Sequence, residues 1–297
     1  PYGTVNDTLP LLRKSFAIHK KIKEAVLYIS GLGHFDAYLN GKKIGDHFLD
    51  AGWVNYQKSA LYVAFDVTKQ IDKDKNVLGV MLGNGFYYIP QVKHRYKKLN
   101  VQYGYPKMIC RLAVEYTDGS SDNIISDDTW KTSASPITFS GIYGGEDYDA
   151  KKEQKSWDLN SFNDEHWKEA TIVKGPPDLH LQQEEPLKIM EQFKPVNSFR
   201  VKDGWVYDVG QNASGIPQIT VQGSIGDTVT IIPAELLKKD SSANQSATGS
   251  PYLLHYIMGS DKTITWQPQF TYYGFRYLEL KGAVPEVQPI PDRLPVL

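Results

Sequence analysis

The sequence predicts an all-β protein folded as two β-sandwiches in tandem. Three observations carry that expectation. Short stretches of alternating apolar and polar residues recur along the chain, each broken at a turn by Gly, Asn or Asp. Aromatic residues make up 12% of the chain, with 19 Tyr and 6 Trp, a composition that suits pleated sheets better than helical bundles. At 297 residues the chain is longer than one ordinary domain, so two is the natural division.

The elements follow in order. Residues 35–39 alternate before Asn40-Gly41 turns the chain, a strong hairpin signal, and Lys42, Lys43 and Ile44 open the return strand. Residues 111–116 repeat the design, with Asp118-Gly119 as the turn and 123–125 returning. Residues 218–221, a turn over 223–226 and a strand over 228–231 read as a third hairpin. Each alternation puts one side in a core and the other toward solvent or a neighbouring layer. Helix is scarce. Residues 161–167 begin on a Ser cap with early acids, and 233–239 are the other candidate; neither is long enough to organise a domain.

A boundary falls at Gly175-Pro176-Pro177 and the polar stretch after it, because proline removes a ladder donor. The expected division is a first sandwich over 1–178, a linker over 179–186 and a second sandwich over 187–283. Residues 284–297 carry Pro285, Pro289, Pro291 and Pro295 and read as an extended connector toward a further domain, with a frayed end as the plainer alternative. A flexible loop is expected at 240–250, which is nearly all small and polar. Pro1 stands where a start Met belongs and no signal-peptide pattern follows, so the chain reads as processed or cut.

Composition narrows the chemistry. A 41% apolar and 23% charged chain with a net charge of −1 has room for real cores and lacks the overall basicity of a nucleic-acid binder. No apolar run approaches the ~18–20 residues that cross a bilayer. Neither nucleic acid nor membrane is therefore an expected partner. Cys110 is the single cysteine, which excludes an intrachain disulfide and leaves a buried, inert thiol as its expected state. The seven histidines show no zinc-site spacing, and no nucleophile elbow, P-loop or dinucleotide fingerprint is present.

Three groups of motifs, in a fixed order over roughly residues 20 to 282, are more specific. The first is Gly33-His34-Phe35-Asp36-Ala37-Tyr38-Leu39-Asn40-Gly41 with Ile44-Gly45, continued by Leu82-Gly83-Asn84-Gly85-Phe86-Tyr87. The second runs through Ser126-Asp127-Asp128-Thr129-Trp130-Lys131, Ile142-Tyr143, Gly145-Glu146-Asp147-Tyr148-Asp149-Ala150 and the pair Phe162 and Trp167. The third comprises Tyr207-Asp208-Val209-Gly210-Gln211-Asn212 with Gly215, Ala234-Glu235-Leu236-Leu237 and Phe270-Thr271-Tyr272-Tyr273-Gly274-Phe275-Arg276-Tyr277. Together they resemble the bacterial α-L-rhamnosidase family, specifically the two β-sandwich modules ahead of its catalytic domain. Phe86 stands where relatives usually have Trp, and Lys151 where they usually have Arg. The leading run alone also resembles the sugar-binding sandwich of several β-galactosidases.

The resemblance implies sandwiches of the jelly-roll or galactose-binding kind. It implies a parent that is an inverting glycosidase releasing terminal α-L-rhamnose, with its chemistry in an (α/α)6 barrel after the second sandwich. Inversion needs two carboxyl groups roughly 6.5–9.5 Å apart. The barrel's signature, an Asp-Glu-Arg run followed by Gly-Trp, is absent from this sequence, so no catalytic residue is assigned. The expected partners are the protein's own C-terminal catalytic domain and a rhamnose-containing carbohydrate. A periplasmic or exported parent would suit that substrate. The rival readings are a free-standing carbohydrate-binding protein and, more weakly, sandwiches that catalyse by themselves, for which no spacing singles out a pair.

Candidate binding residues come from two groups. Trp53, Tyr56, Phe86, Tyr87 and Tyr88 offer an aromatic platform, because sugar C–H faces stack on electron-rich rings; filling a core is their alternative. Trp53 follows Asp50-Ala51-Gly52 and is placed on a loop, while consecutive residues on a strand point opposite ways, so at most one of Tyr87 and Tyr88 is expected in a core. Glu146, Asp147 and Asp149 form the second group. They are suited to sugar hydroxyls or to a structural Ca2+, since hard oxygen ligands favour calcium, or else to fastening a loop through backbone N–H bonds. No other cofactor is expected. Trp130, Trp157 and Trp167 are assigned to core packing, and Arg276 to a partner such as Glu279 or the Tyr272 ring, with contact to the catalytic barrel as a further expectation.

Overall fold

The computed structural model describes residues 9–247 and 251–282, and the backbone of 294–296. Regular structure there is all β apart from a single 3-10 turn, Ala150–Lys152, and no helix is long and apolar enough to cross a membrane. Residues 248–250, most of the expected connector and the chain's first eight residues lie outside the described residues.

The first sandwich stacks two sheets. One runs, in order, Lys168–Glu169, Lys131–Ala134, Pro10–Ile18, Asp74–Gly83, His34–Leu39 and Lys42–Lys43. The other runs Asp178–Leu181, Ser59–Asp66, Ile22–Leu32, Lys107–Tyr116 and Ser121–Ile125. Alternation sets the faces: Cys110, Leu112, Val114 and Tyr116 are buried, while Arg111 and Glu115 point out. These side chains meet Leu27, Ile29, Leu78, Val80, Leu82 and Trp130 in one core. The Asn40-Gly41 turn has φ values of 53° and 80°, the pair a two-residue hairpin of this twist requires. Asn40 also accepts from the Val77 N–H at 2.9 Å, fastening the hairpin to the next strand.

The second sandwich is asymmetric. Its large sheet runs Ile137–Gly141, Gly145–Asp149, Leu253–Ile257, Thr228–Ala234, Tyr273–Lys281, Gly204–Gly215, Leu294–Val296 and Glu191–Phe193, with Asn197–Val201 also paired to Gly204–Gly215. Opposite it lies a two-stranded layer, Ile219–Val221 with Ile264–Trp266. Ile219, Val221, Val229, Ile231, Leu254, Leu278 and Leu280 share the core between them.

Several expectations change here. Residues 218–231 do not form a hairpin: the two strands enter opposite layers and face each other across the core. Alternation specifies which side is buried and leaves the pairing partner open. Residues 233–239 hold no helix: Pro233 and Ala234 continue a ladder opposite Leu278 and Tyr277, and Leu236–Leu237 form a further short strand. Residues 161–167 form successive turns, pinned by Asp164, which pairs with Arg13 and with Lys131. Part of the 179–186 stretch pairs parallel with Ser59–Asp66, an exposed edge held by main-chain bonds. Within 240–250, Gln245 is buried and bonds the Pro233 and Tyr252 carbonyls at 2.8 and 2.7 Å, so this part of the loop is tied down. Finally, the hairpin 137–149, upstream of the 175–177 boundary, adds to the second sheet through a parallel pairing of Gly145–Asp149 with Leu253–Ile257.

That hairpin locks the sandwiches together. Leu9, Leu11, Met81, Ile137, Trp167 and Phe270 form a cluster that joins strands of both. Phe270 is fully buried against Gly83, where a Cβ would come within 2.2 Å of its ring. Glycine at 83 is thus a packing requirement. Trp157 stacks on Trp167 at the same junction, 6.2 Å between ring centres.

Candidate functional site

The aromatic candidates separate into an exposed ring and a buried cluster. Trp53 is 58% exposed and lies flat on Phe86, with centroids 4.7 Å apart and 9° between planes. Its loop is fastened on both sides. The Phe35 N–H donates to the Asp50 carbonyl at 2.9 Å, the Gly52 N–H donates to Gln182 Oε1 at 2.9 Å, and His47 Nδ1 lies 2.7 Å from Asp50 Oδ2. Burial raises the Asp50 carboxyl while His47 opposes that shift. From Phe86 a series of ring contacts continues to Tyr143 at 6.0 Å and on to Tyr96 at 6.3 Å. The series therefore starts on the first sandwich and reaches the hairpin of the second sheet.

Tyr56 and Tyr87 belong to a buried cluster against which Phe86 also packs. They are only 6% and 5% exposed and pack edge to face at 5.2 Å. Tyr87 stacks on Tyr103, which shields it. Tyr88 is buried as well, so both members of the Tyr87-Tyr88 pair are internal. The strand rule does not apply because both N–H groups turn back to the Asn84 carbonyl.

The acidic candidates are adjacent in sequence and have three different partners. Glu146 is fully buried and accepts from the Gln269 and Phe270 N–H groups at 3.0 and 2.9 Å. Burial pushes its pKa up to about 8, against the lowering effect of those two N–H bonds. Asp147 points to the opposite side of its strand, where it pairs with Arg95 and, at 2.9 Å, with His255 Nδ1. Asp149 accepts from the Lys151 N–H at 3.1 Å and starts the short 3-10 turn. Among the described residues no group of three or more His, Cys, Asp or Glu stands where it could hold a metal ion.

Arg95 is the residue the sequence reading missed. Its guanidinium donates to the Gly144 and Leu253 carbonyls at 3.0 and 2.6 Å, pairs with Asp147 and lies 4.6 Å from the centre of the Phe139 ring. It thereby ties a loop of the first sandwich to three strands of the second sheet. The available signal was a cation inside the run Lys93-His94-Arg95-Tyr96-Lys97-Lys98. Arg276 also differs from expectation. It makes a two-point pair with Asp208, at 2.8 and 2.9 Å, and holds that carboxyl below its usual range. Glu279 lies three residues away on the same strand, hence on the opposite face, and accepts from the Ala243 N–H at 2.7 Å. Cys110 is buried, and burial pushes its thiol up to about 12, leaving it un-ionised.

Two β-sandwiches sharing an aromatic junction, with one exposed indole held on a fastened loop, define a tandem sandwich module. Comparison with known proteins gives the family. Residues 20–191 match the α-L-rhamnosidase N-terminal domain, and residues 200–295 match the bacterial α-L-rhamnosidase concanavalin-like domain. The chain belongs to the bacterial α-L-rhamnosidase family. It is 35% identical over 283 residues to a curated α-L-rhamnosidase of Formosa agariphila, covering 91% of this chain and 29% of that protein. Among solved structures, the α-L-rhamnosidase of Dictyoglumus thermophilum superposes with a TM-score of 0.89 at 39% identity, over 98% of this chain and 32% of that one. The Streptomyces avermitilis α-L-rhamnosidase, solved in complex with L-rhamnose, gives 0.91 at 30% identity, over 98% of this chain and 28% of that one. The chain thus spans about a third of the length of the relatives it matches.

Proposed function

We propose that this chain is the non-catalytic sandwich portion of an inverting α-L-rhamnosidase, a glycoside hydrolase that releases terminal α-L-rhamnose from glycans or glycosides. It supports and orients the C-terminal catalytic domain and takes carbohydrate on the exposed face of Trp53. The observation that carries the reading is the end-to-end match to one third of several α-L-rhamnosidases. The state of the acids agrees with it. Glu146 is sealed from solvent and Asp147 is engaged by Arg95 and His255, so this pair offers no open acid and base across a glycosidic bond. Trp53 keeps one face free after stacking on Phe86, and a free aromatic face suits a sugar's C–H side.

The test has two arms. An aryl α-L-rhamnoside incubated with this chain alone should show no turnover; turnover would overturn the non-catalytic assignment. Titration calorimetry with L-rhamnose should give heat that disappears in Trp53→Ala. Absence of binding in the unmodified chain would reduce the role to scaffolding.

A further inference from the structure

A net charge near zero conceals one strongly polarised region. From Lys75 to Val114 the chain has seven Lys and Arg residues and no Asp or Glu, although acids number 34 in the whole sequence. Four of the side chains at its centre, Lys93, His94, Lys97 and Lys98, are exposed, and none makes an ion pair or side-chain hydrogen bond with another described residue. The two residues between them are the opposite case. Arg95 is buried in its carbonyl, Asp147 and Phe139 contacts, and the Tyr96 N–H donates to the Pro251 carbonyl at 2.7 Å. The loop's base is closed where the Ile89 N–H donates to the Val101 carbonyl at 2.8 Å. A pinned centre with free cations on both flanks presents positive charge in a fixed place, and unpaired exposed ammonium groups are available to an anion without first breaking a native contact.

The second observation is the ring series Trp53, Phe86, Tyr143, Tyr96, which leads from the exposed indole to the centre of this loop. We propose that residues 91–100 together with Trp53 form a binding surface for anionic glycans, chains whose sugars carry uronate or sulfate-ester groups. The free indole face takes a sugar ring, while Lys93, Lys97 and Lys98 meet the anionic substituents along the chain. The inference rests on the carbohydrate reading of Trp53 and adds the charge class of the glycan. A glycan is favoured over nucleic acid because the protein belongs to a glycosidase family and its net charge is only −1.

Affinity electrophoresis of the chain in native gels containing polygalacturonate, dextran sulfate or neutral dextran tests this. Retardation by one or both charged polymers and not by dextran is expected, weakening as salt rises from about 50 to about 500 mM because exposed charges are screened. The polygalacturonate and dextran sulfate arms distinguish uronate from sulfate. The charge reversal Lys93→Glu/Lys97→Glu/Lys98→Glu should lower affinity about tenfold or more with an unchanged thermal midpoint, since none of the three supports the fold. Trp53→Ala should weaken glycan binding several-fold. Equal retardation of the charge-reversed chain, or none of the unmodified chain, would overturn the proposal. So would duplex DNA binding as tightly as the glycans with Trp53→Ala having no effect, an outcome that would mark a general polyanion contact. L-rhamnose titration separates the two readings, because its failure removes the sugar role of Trp53 whereas charge reversal leaves neutral-sugar binding intact.

Discussion

The two sandwiches complete their cores in different ways. In the first, a six-stranded and a five-stranded sheet cover each other, and every strand of both comes from the segment 10–181. In the second, the large sheet faces a layer of only two strands, and one of its edges is the 137–149 hairpin supplied from upstream. The second sandwich thus holds part of its sheet through chain that leaves and re-enters the first. A sandwich with two matched layers can bury its apolar faces from its own sequence. One with a thin second layer depends on its neighbour, and the dependence here passes through Phe270, Glu146 and Arg95.

That difference can be broken at three points. The largest effect should come from Phe270→Ala, which empties the cluster shared by Leu9, Leu11, Met81, Ile137 and Trp167 and should cost about 3–5 kcal/mol. Urea unfolding should then resolve two transitions, the second sandwich melting first. A single unshifted transition would show that the aromatic junction does not couple them. Arg95→Ala removes the ties to Gly144, Leu253 and Asp147 and should cost about 1.5–3 kcal/mol, since each is a hydrogen bond to a charged donor. Arg95→Lys should rescue little of this, because an ammonium group cannot reproduce the planar fork. Hydrogen exchange should quicken at the Leu253–Ile257 and Gly145–Asp149 strands, and unchanged protection there would count against the role given to Arg95.

The gentlest perturbation concerns Glu146. Its pKa is raised from 4.5 to about 8 by burial, so between those values the folded chain holds a proton that the unfolded chain has released. This contribution is full below pH 4.5 and is lost as pH rises toward 8. Glu146→Gln keeps the shape and an acceptor for the Gln269 and Phe270 N–H groups but cannot titrate. The variant's stability should fall less steeply over that window, by up to about 1.4 kcal/mol per pH unit. Parallel pH profiles for the two chains would mean that Glu146 is ionised in the folded protein.

Much of the fold was legible because its signals are local. Asn40-Gly41 has the two positive φ values a tight hairpin demands, and the 111–116 alternation became a strand with its apolar side inward. Trp130 was read as core and is 1% exposed, its indole N–H donating to the Ile125 carbonyl at 2.9 Å. Trp53 was placed on a loop and stands exposed there. The rest of the candidate site was less legible. Tyr56 and Tyr87 resemble surface rings in sequence until Tyr103 closes over them, and Glu146 resembles a free acid until residues 269–270 meet it from more than a hundred positions away.

By itself the sequence determined the fold class, the faces of its strands and the turns between them, because alternation, steric limits on φ and apolar content act over a few neighbouring residues. Beyond the hairpins at Asn40-Gly41 and Asp118-Gly119, tertiary structure decided which strands pair. It sent 219–221 and 228–234 to opposite layers, delivered 137–149 to the second sheet and placed Arg95 among carbonyls of a distant hairpin. A strand's pattern states what must be buried, but every inward apolar face can satisfy another. Only the packing of the whole chain, with each buried N–H and carboxylate finding its partner, chooses among them.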